Sequence, residues 1–301
     1  MLHKLKTHRL LGLMLFCPLF TVIAQFPVNG FYAEKQTLTI APSYSYKSFD
    51  QFYRGTELSE GNPAGLGDIS SYIFSLYASY TINDWLSAVV TLPYITTQSQ
   101  DGVLDPVQQT DRVDGIQDLG IFAKAKILEK SFKNNAKVTL GGAAGITFPA
   151  SDYDGAGVLS LGNEATTING AAIVNYVSPY QIFAEAQVGY SNRDSKDFDI
   201  PNAMLYGFKL GYFNQFFYIH ANLEIQDSMS GLDIGTPEFA DAGGPNILPE
   251  TEVDFTNLSF NLYIPVYQNK LGVFTGYTST LDGRNFSKES ALSFGLVYSS
   301  L

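Results

Sequence analysis

His220, Asn222 and Glu224 stand two residues apart in the run FFYIHANLEIQDS. Side chains on a β-strand repeat every two residues, so an imidazole, an amide and a carboxylate would line one face. A hydrolase of the Ser-His-Asn or Asp-His kind could use them if a neighbouring strand supplied the serine or aspartate. A lone imidazole supplies no catalytic geometry by itself, however, and such residues are ordinary hydrogen-bonding groups on any enclosed polar face. The balance is against an enzyme.

Other chemistries are narrowed by where the remaining groups lie. His3, His8 and Cys17 all fall in the first 24 residues. That stretch opens with the basic MLHKLKTHR, continues with the apolar LLGLMLFCPLFTVIA, and ends on Val22-Ile23-Ala24, where a signal peptidase cuts. Residues 1–24 therefore read as a secretory signal peptide, its apolar run being shorter than the ~20 residues a membrane-spanning helix needs. Phe16 before and Pro18 after Cys17 suit lipidation poorly. The domain that remains, 25–301, has no thiol and a single imidazole, which excludes thiolate catalysis, disulfides and Cys/His metal sites. The leader also takes Lys4, Lys6 and Arg9, so of 18 Lys and Arg, 15 are left to face 29 Asp and Glu. Nucleic acid is not an expected partner of so acidic a chain.

Two further clusters carry little. Gly65-Leu66-Gly67-Asp68 and Gly243-Gly244-Pro245 lie between no strand and helix, so they read as turns and not as phosphate cradles. Asp227, Asp233, Glu238, Asp241, Glu250, Glu252 and Asp254 make an acidic stretch without Lys or Arg. Oxygen ligands suit calcium, but the spacing matches no calcium loop, and a solvated external loop is the simpler reading. No cofactor is implied.

The elements that must position these residues are strands. With 45% hydrophobic and 14% aromatic residues, 27 Gly, and only 16% charged, the chain is poorer in charge than ordinary soluble domains, at ~25%. Period-two alternation marks twelve segments: 36–46, 68–80, 84–96, 116–127, 136–148, 167–176, 181–191, 204–213, 215–226, 252–264, 270–280 and 290–301. They are long for globular strands and match the ~9–11 residues of a tilted membrane strand. The connections alternate: 47–67, 97–115, 149–166, 192–203, 227–251 and 281–289 are long, whereas 81–83, 128–135, 177–180, 214 and 265–269 are short. Strands running up and down through a membrane, with short periplasmic turns and longer external loops, produce that parity; a Greek-key sandwich has no reason to. The expected fold is all-β, a transmembrane antiparallel up-and-down barrel of about twelve strands.

The faces follow from the same period. In AKVTLGGAAGITFP the parity of Val138, Leu140 and Ile146 would meet lipid, and Gly141, Ala143 and Gly145 would leave room in the lumen. Tyr44, Tyr46, Tyr80, Trp85, Tyr94, Phe148, Tyr176, Tyr190, Phe213 and Tyr298 sit near strand ends, where an aromatic girdle belongs. A lysine facing hydrocarbon at mid-depth costs ~2–4 kcal/mol, so Lys124 and Lys209 are expected to point inward, near Glu185, His220 and Glu224. The lumen-lining candidates are Lys124, Lys126, Glu185, Lys209, His220, Asn222 and Glu224.

The runs TLPY at 91–94, GIQDLGIFAKAKIL at 115–128, VTLGGAAGITFPASDY at 138–153 and GLGDISSYIFSLYASY at 65–80 resemble the outer-membrane barrel family associated with the meta-cleavage pathway of phenol degradation. That resemblance implies a channel for small, often apolar compounds, with no residue constellation to carry over. Outer-membrane strands commonly end the chain on an aromatic, whereas this one ends Val297-Tyr298-Ser299-Ser300-Leu301, a departure from the usual assembly signal. The expectation is an outer-membrane channel or transporter of a Gram-negative bacterium, passing small solutes, apolar or aromatic ones included. Its partners would be outer-membrane lipid, the solute, and the barrel-assembly machinery during biogenesis. A barrel hydrolase using His220, a structural or adhesive barrel, and a secreted soluble β protein are the competing readings.

Overall fold

A computed structural model describes residues 27–268 and 270–300; the expected signal peptide lies outside them. In chain order the strands are β1 (Leu38–Phe49), β2 (Gln51–Arg54), β3 (Glu57–Glu60), β4 (Ile69–Asn83), β5 (Leu86–Ser99), β6 (Arg112–Ile116), β7 (Asp118–Ser131), β8 (Lys137–Pro149), β9 (Thr166–Val177), β10 (Ile182–Asp194), β11 (Ala203–Phe213), β12 (Tyr218–Ser228), β13 (Asp254–Tyr267), β14 (Leu271–Arg284) and β15 (Ser290–Ser299). β2 and β3 form a separate hairpin inside the first long loop. β6 and β7 both pair with β5 and together make one stave, interrupted at Gln117. Every barrel neighbour is antiparallel, and β1 pairs with both β4 and β15, so the sheet closes as twelve staves.

The twelve expected segments are these staves, with ends displaced by up to four residues where the ladder runs on past the alternation into the turns. Two of them are set by asparagine side chains. Asn83 Oδ1 accepts from the Trp85 and Leu86 amides, both at 3.0 Å, and Asn214 Oδ1 accepts from Phe216 and Phe217 at 2.7 and 3.0 Å. An Asx side chain that replaces backbone partners in this way ends one strand and starts the next.

The period-two faces divide as the chemistry requires. On β7, Ile121 is exposed while Phe122 and Lys124 are buried inside. On β12, Ile219 faces out while His220, Asn222 and Glu224 face in. The room left by Gly141 and Gly145 is taken by the Tyr32 and Phe122 side chains. Tyr80, Trp85, Tyr176 and Tyr298 are exposed near strand ends, as a girdle requires, whereas Tyr44 and Tyr94 are exposed in the middle of β1 and β5. Phe213 is a correction to that girdle: it is 6% exposed and points inward. The reason is parity, since Phe213 lies four residues beyond Lys209 on the same face of β11.

The long-loop end is partly roofed. Asp105, wholly buried, accepts amide hydrogens from Val107 at 2.8 Å and from Val158 and Leu159 at 2.6 and 2.9 Å, tying two loops together. Leu159 then packs with Leu66 and Ile69. The acidic loop contains a short helix, α1 (Pro237–Ala242), capped by Thr236, whose side chain accepts from the Phe239 amide.

Val188, in the middle of β10 between Ala172 and Tyr206, is exposed on the outer face. Val188→Lys is expected to lower the unfolding free energy by ~2–4 kcal/mol in bilayers, against little change for Val188→Ile. Equal losses for the two variants would show a packed position, not one facing hydrocarbon.

Candidate functional site

Residues 27–37, which carry no strand pattern, enter the barrel at its short-turn end. The entry is fixed by hydrogen bonds from the Gln36 amide to Thr81 O, 2.6 Å, and from the Thr81 amide to Thr37 O, 3.0 Å. From there the segment lies inside the wall, with Val28, Asn29 and Phe31 buried. The Gly30 amide donates to Glu185 Oε2 at 2.8 Å. Lys124 Nζ donates to Phe31 O at 2.5 Å and to Asn29 Oδ1 at 3.2 Å. The Tyr32 hydroxyl donates to Ala125 O at 2.8 Å, and its ring lies 4.5 Å from Lys124 Nζ.

Three of the residues singled out by sequence thus meet around this segment. Glu185 is the hub: Lys209 Nζ pairs with its Oε1 at 3.2 Å, and Asn175 Nδ2 donates to its Oε2 at 3.1 Å. Lys124 works opposite, grasping the segment by its carbonyls. Lys126 lies nearer the short-turn rim, its Nζ 5.7 Å from the Tyr32 ring and paired with Glu129 at 3.4 Å. Phe31 closes the short-turn end with rings from the wall, edge-on to Phe183 at 5.1 Å and near Phe213 and Tyr218. Nothing in residues 27–37 but their lack of alternation marks this segment in the sequence.

His220, Asn222 and Glu224 share the inner face but form no relay. The hydrogen bond recorded for His220 is to the amide of Asn261, 3.3 Å from Nε2, and its ring stands edge-on to Tyr218 at 5.2 Å. The Asn222 amide donates to Glu224. Among the described residues no serine hydroxyl bonds to His220.

Toward the long loops the lumen widens into a chamber with Pro27 in its floor, made of two adjoining cavities of ≈ 310 and ≈ 500 Å³ that share Lys47, Asp118 and Phe122. Its walls alternate rings and paired polar groups. Phe255 and Phe286 stack at 4.8 Å, and Phe122 stands opposite the roofing loops. Lys47 pairs with Glu289 at 3.0 Å, and Arg193 Nη2 donates to Gln226 at 2.7 Å. The Tyr153 hydroxyl donates to Asp118 at 2.6 Å; burial and that carboxylate push its phenol above the usual range. Five rings, Phe49, Phe52, Phe122, Phe255 and Phe286, stand among polar side chains such as Gln117, Asp118, Asn169 and Arg193, a lining that suits a small molecule with an aromatic part and hydrogen-bonding groups. None of these residues was among the sequence candidates, although the parity of Lys124 already implied that Phe122 faces inward.

The acidic loop is tied to the wall. Arg284 bonds Asp233 through Nε and Nη2, at 2.8 and 2.7 Å, and Glu252 through Nη1 at 2.5 Å. The Arg284 hydrogen bonds hold Asp233 below the usual carboxylate range, and burial moves Glu252 the other way. Among the described residues no three His, Cys, Asp or Glu side chains gather as a metal site.

Comparison with known proteins supports the architecture. No family model matches the chain, and no curated protein does. Among solved structures it is similar to an outer membrane channel from Pseudomonas putida F1, at 16% identity and TM-score 0.69, covering 91% of this chain and 99% of that one. It is also similar to the NanC porin, at 10% identity and TM-score 0.50, covering 86% and 98%. At such identities the likeness establishes the fold: this is a transmembrane β-barrel of the outer-membrane type.

Two predictions follow from the geometry. A Cβ on Gly30 would come within 2.6 Å of Asn175 Cβ, so Gly30→Val cannot keep the segment in place. Its hydrogen bonds to charged groups contribute about 1.5–3 kcal/mol each, and each ~1.4 kcal/mol lost is tenfold in the open population, so ion conductance in planar bilayers should rise. Unchanged conductance would show that the segment does not obstruct the lumen. For the acidic loop, the lowered Asp233 pKa means that the Arg284–Asp233 tie is intact at neutral pH and is lost only as pH falls through that depressed value, whereas the Glu252 tie, its carboxyl raised, weakens first. Amide-exchange protection of residues 229–253 should therefore survive acidification through the ordinary carboxylate range near ~4. It should fall at neutral pH in Arg284→Ala, where Asn285 still bonds Leu232, Asp233 and Glu252.

Proposed function

We propose that the chain is an outer-membrane channel of a Gram-negative bacterium that passes small apolar or aromatic solutes. The observation that carries this reading is the chamber between the roofing loops and the inserted segment, with Phe122, Phe255 and Phe286 in its walls. The resemblance of residues 65–153 to barrels of the phenol meta-cleavage pathway points to the same solute class. The similar outer membrane channel from Pseudomonas putida F1 agrees with the channel role. In this reading residues 1–24 are cleaved on export, the barrel-assembly machinery inserts the rest, and the long loops face outward. Lys124, Glu185 and Lys209 hold the inserted segment, while Lys126, His220, Asn222 and Glu224 complete the polar lining. No catalytic role is assigned.

Proteoliposomes test the proposal. A small monocyclic aromatic solute should enter faster than a sugar of similar size. Phe122→Ala or Phe286→Ala should slow the aromatic solute while leaving the rate for the sugar. Neither solute entering, with no ion conductance, would remove the channel role; equal entry of both would remove the solute class. On intact cells a tag at Gly243 should be labelled and a tag at Asn83 should not, and the reverse would invert the orientation.

A further inference from the structure

The inner face of β10 ends on Arg193, which follows Phe183, Glu185, Gln187 and Ser191 on one parity. The Asn202 side chain fixes the backbone there, accepting the Arg193 amide at 2.8 Å. The guanidinium stands in the wall of the chamber, and its partners are three neutral oxygens. Nη2 donates to Gln226 Oε1 at 2.7 Å, while Nη1 donates to Pro201 O and Nε to Ser191 Oγ, both at 3.4 Å. Among the described residues no carboxylate comes into ion-pair range of it. The carboxylates that line the chamber are engaged elsewhere, Glu289 by Lys47 and Asp118 by the Tyr153 hydroxyl. Arg284 is treated in the opposite way, since it holds both Asp233 and Glu252.

A guanidinium drawn out of water keeps its charge, and that charge is costly to hold without an anion beside it. Two of the three oxygens on Arg193 are distant, and N–H groups of the fork are left over. The partner that fits a planar fork best is a carboxylate, which takes it through two parallel bonds. What lies next to the fork narrows the partner further. Gln226 stands opposite Phe255 in the β12–β13 ladder, and Phe255 stacks on Phe286 at 4.8 Å. Gln226 itself is held in place, its Nε2 donating to Val253 O at 2.7 Å. One side chain therefore separates the guanidinium from a pair of rings, within a single cavity of ≈ 500 Å³.

We propose that the chamber binds an aromatic monocarboxylate, with Arg193 taking the carboxylate and Phe255 and Phe286 taking the ring. The proposal rests on the channel reading above and names the solute within it. A ring without the acid would leave the buried charge uncompensated and gain only the stacking. An acid without the ring would gain only the fork.

Binding to the purified protein, followed by titration calorimetry at neutral pH, tests the site. Benzoate, benzamide and benzamidine share a shape and are anionic, neutral and cationic. Benzoate should bind about tenfold or more tighter than benzamide, since a bond between charged groups is at stake. Benzamidine should bind more weakly than either, and acetate more weakly than benzoate. Arg193→Gln should bring benzoate down to the affinity of benzamide and leave benzamide where it was. Arg193→Lys, which keeps the charge without the fork, should fall between. Phe255→Ala should weaken benzoate and benzamide alike. If Arg193→Gln does not fold, the order of the three probes on the wild type decides. Benzamide binding as tightly as benzoate, no benzoate binding, or a benzoate affinity untouched by Arg193→Gln would overturn the acid site and leave the channel reading standing. Benzoate bound through Arg193 by a barrel that passes neither ions nor benzoate in proteoliposomes would overturn the channel reading while the site stands.

Discussion

A backbone that crosses hydrocarbon has to find its hydrogen bonds within the sheet, and the rest of this molecule follows from that constraint. Closure of β1 on β15 removes the edges. The two-residue period then forces each strand to show one face to lipid and the other to the lumen, so the outer face becomes apolar and polar groups collect inside. Once inside, those groups lie in a space too narrow to hydrate fully. They need partners, and the inserted segment supplies several: Glu185 takes the Gly30 amide, and Lys124 takes the Phe31 carbonyl and the Asn29 side chain. Wall and segment are therefore specified together.

The inner charges are divided unevenly. Glu185 serves a lysine, an asparagine and a backbone amide, while Lys124 is held by neutral oxygens of the segment and by the face of the Tyr32 ring. Removing one member of such a network leaves another buried without compensation, at an order of 3 kcal/mol or more. The arrangement fixes where the segment sits better than apolar packing alone would. Phe31, set edge-on to Phe183, adds the apolar part at the short-turn end, so the segment is held by charge in the middle and by rings at the rim.

Much of the barrel was legible because it is periodic. Alternation over eleven to fourteen residues exposed the staves, and the price of a lysine in lipid gave the inward direction of Lys124 and Lys209. The same rule applied to β11 would have turned Phe213 inward; its place near a strand end suggested a girdle instead. The inserted segment was not legible, because Val28 to Tyr32 are fixed by contacts with β7, β9 and β10, more than ninety residues away in sequence. The chamber was hidden for the same reason. Phe122, Phe255 and Phe286 come from distant strands and a loop, and each alone reads as an ordinary aromatic in a β protein.

Obstruction and passage impose opposite demands on one narrow lumen. A segment held by hydrogen bonds to charged groups occupies the lumen near the short turns, while the chamber above it has Phe122 and Phe286 in its walls. In the proposed channel, polar solutes and apolar solutes would meet different barriers in the same barrel. A polar one must displace the segment against the hold of Lys124 and Glu185. An apolar one needs only to be desolvated, which the rings favour and which the bulk of the bilayer favours further. The difference arises from position: Lys124 and Glu185 hold the segment, and Phe122, Phe255 and Phe286 stand in the chamber above it.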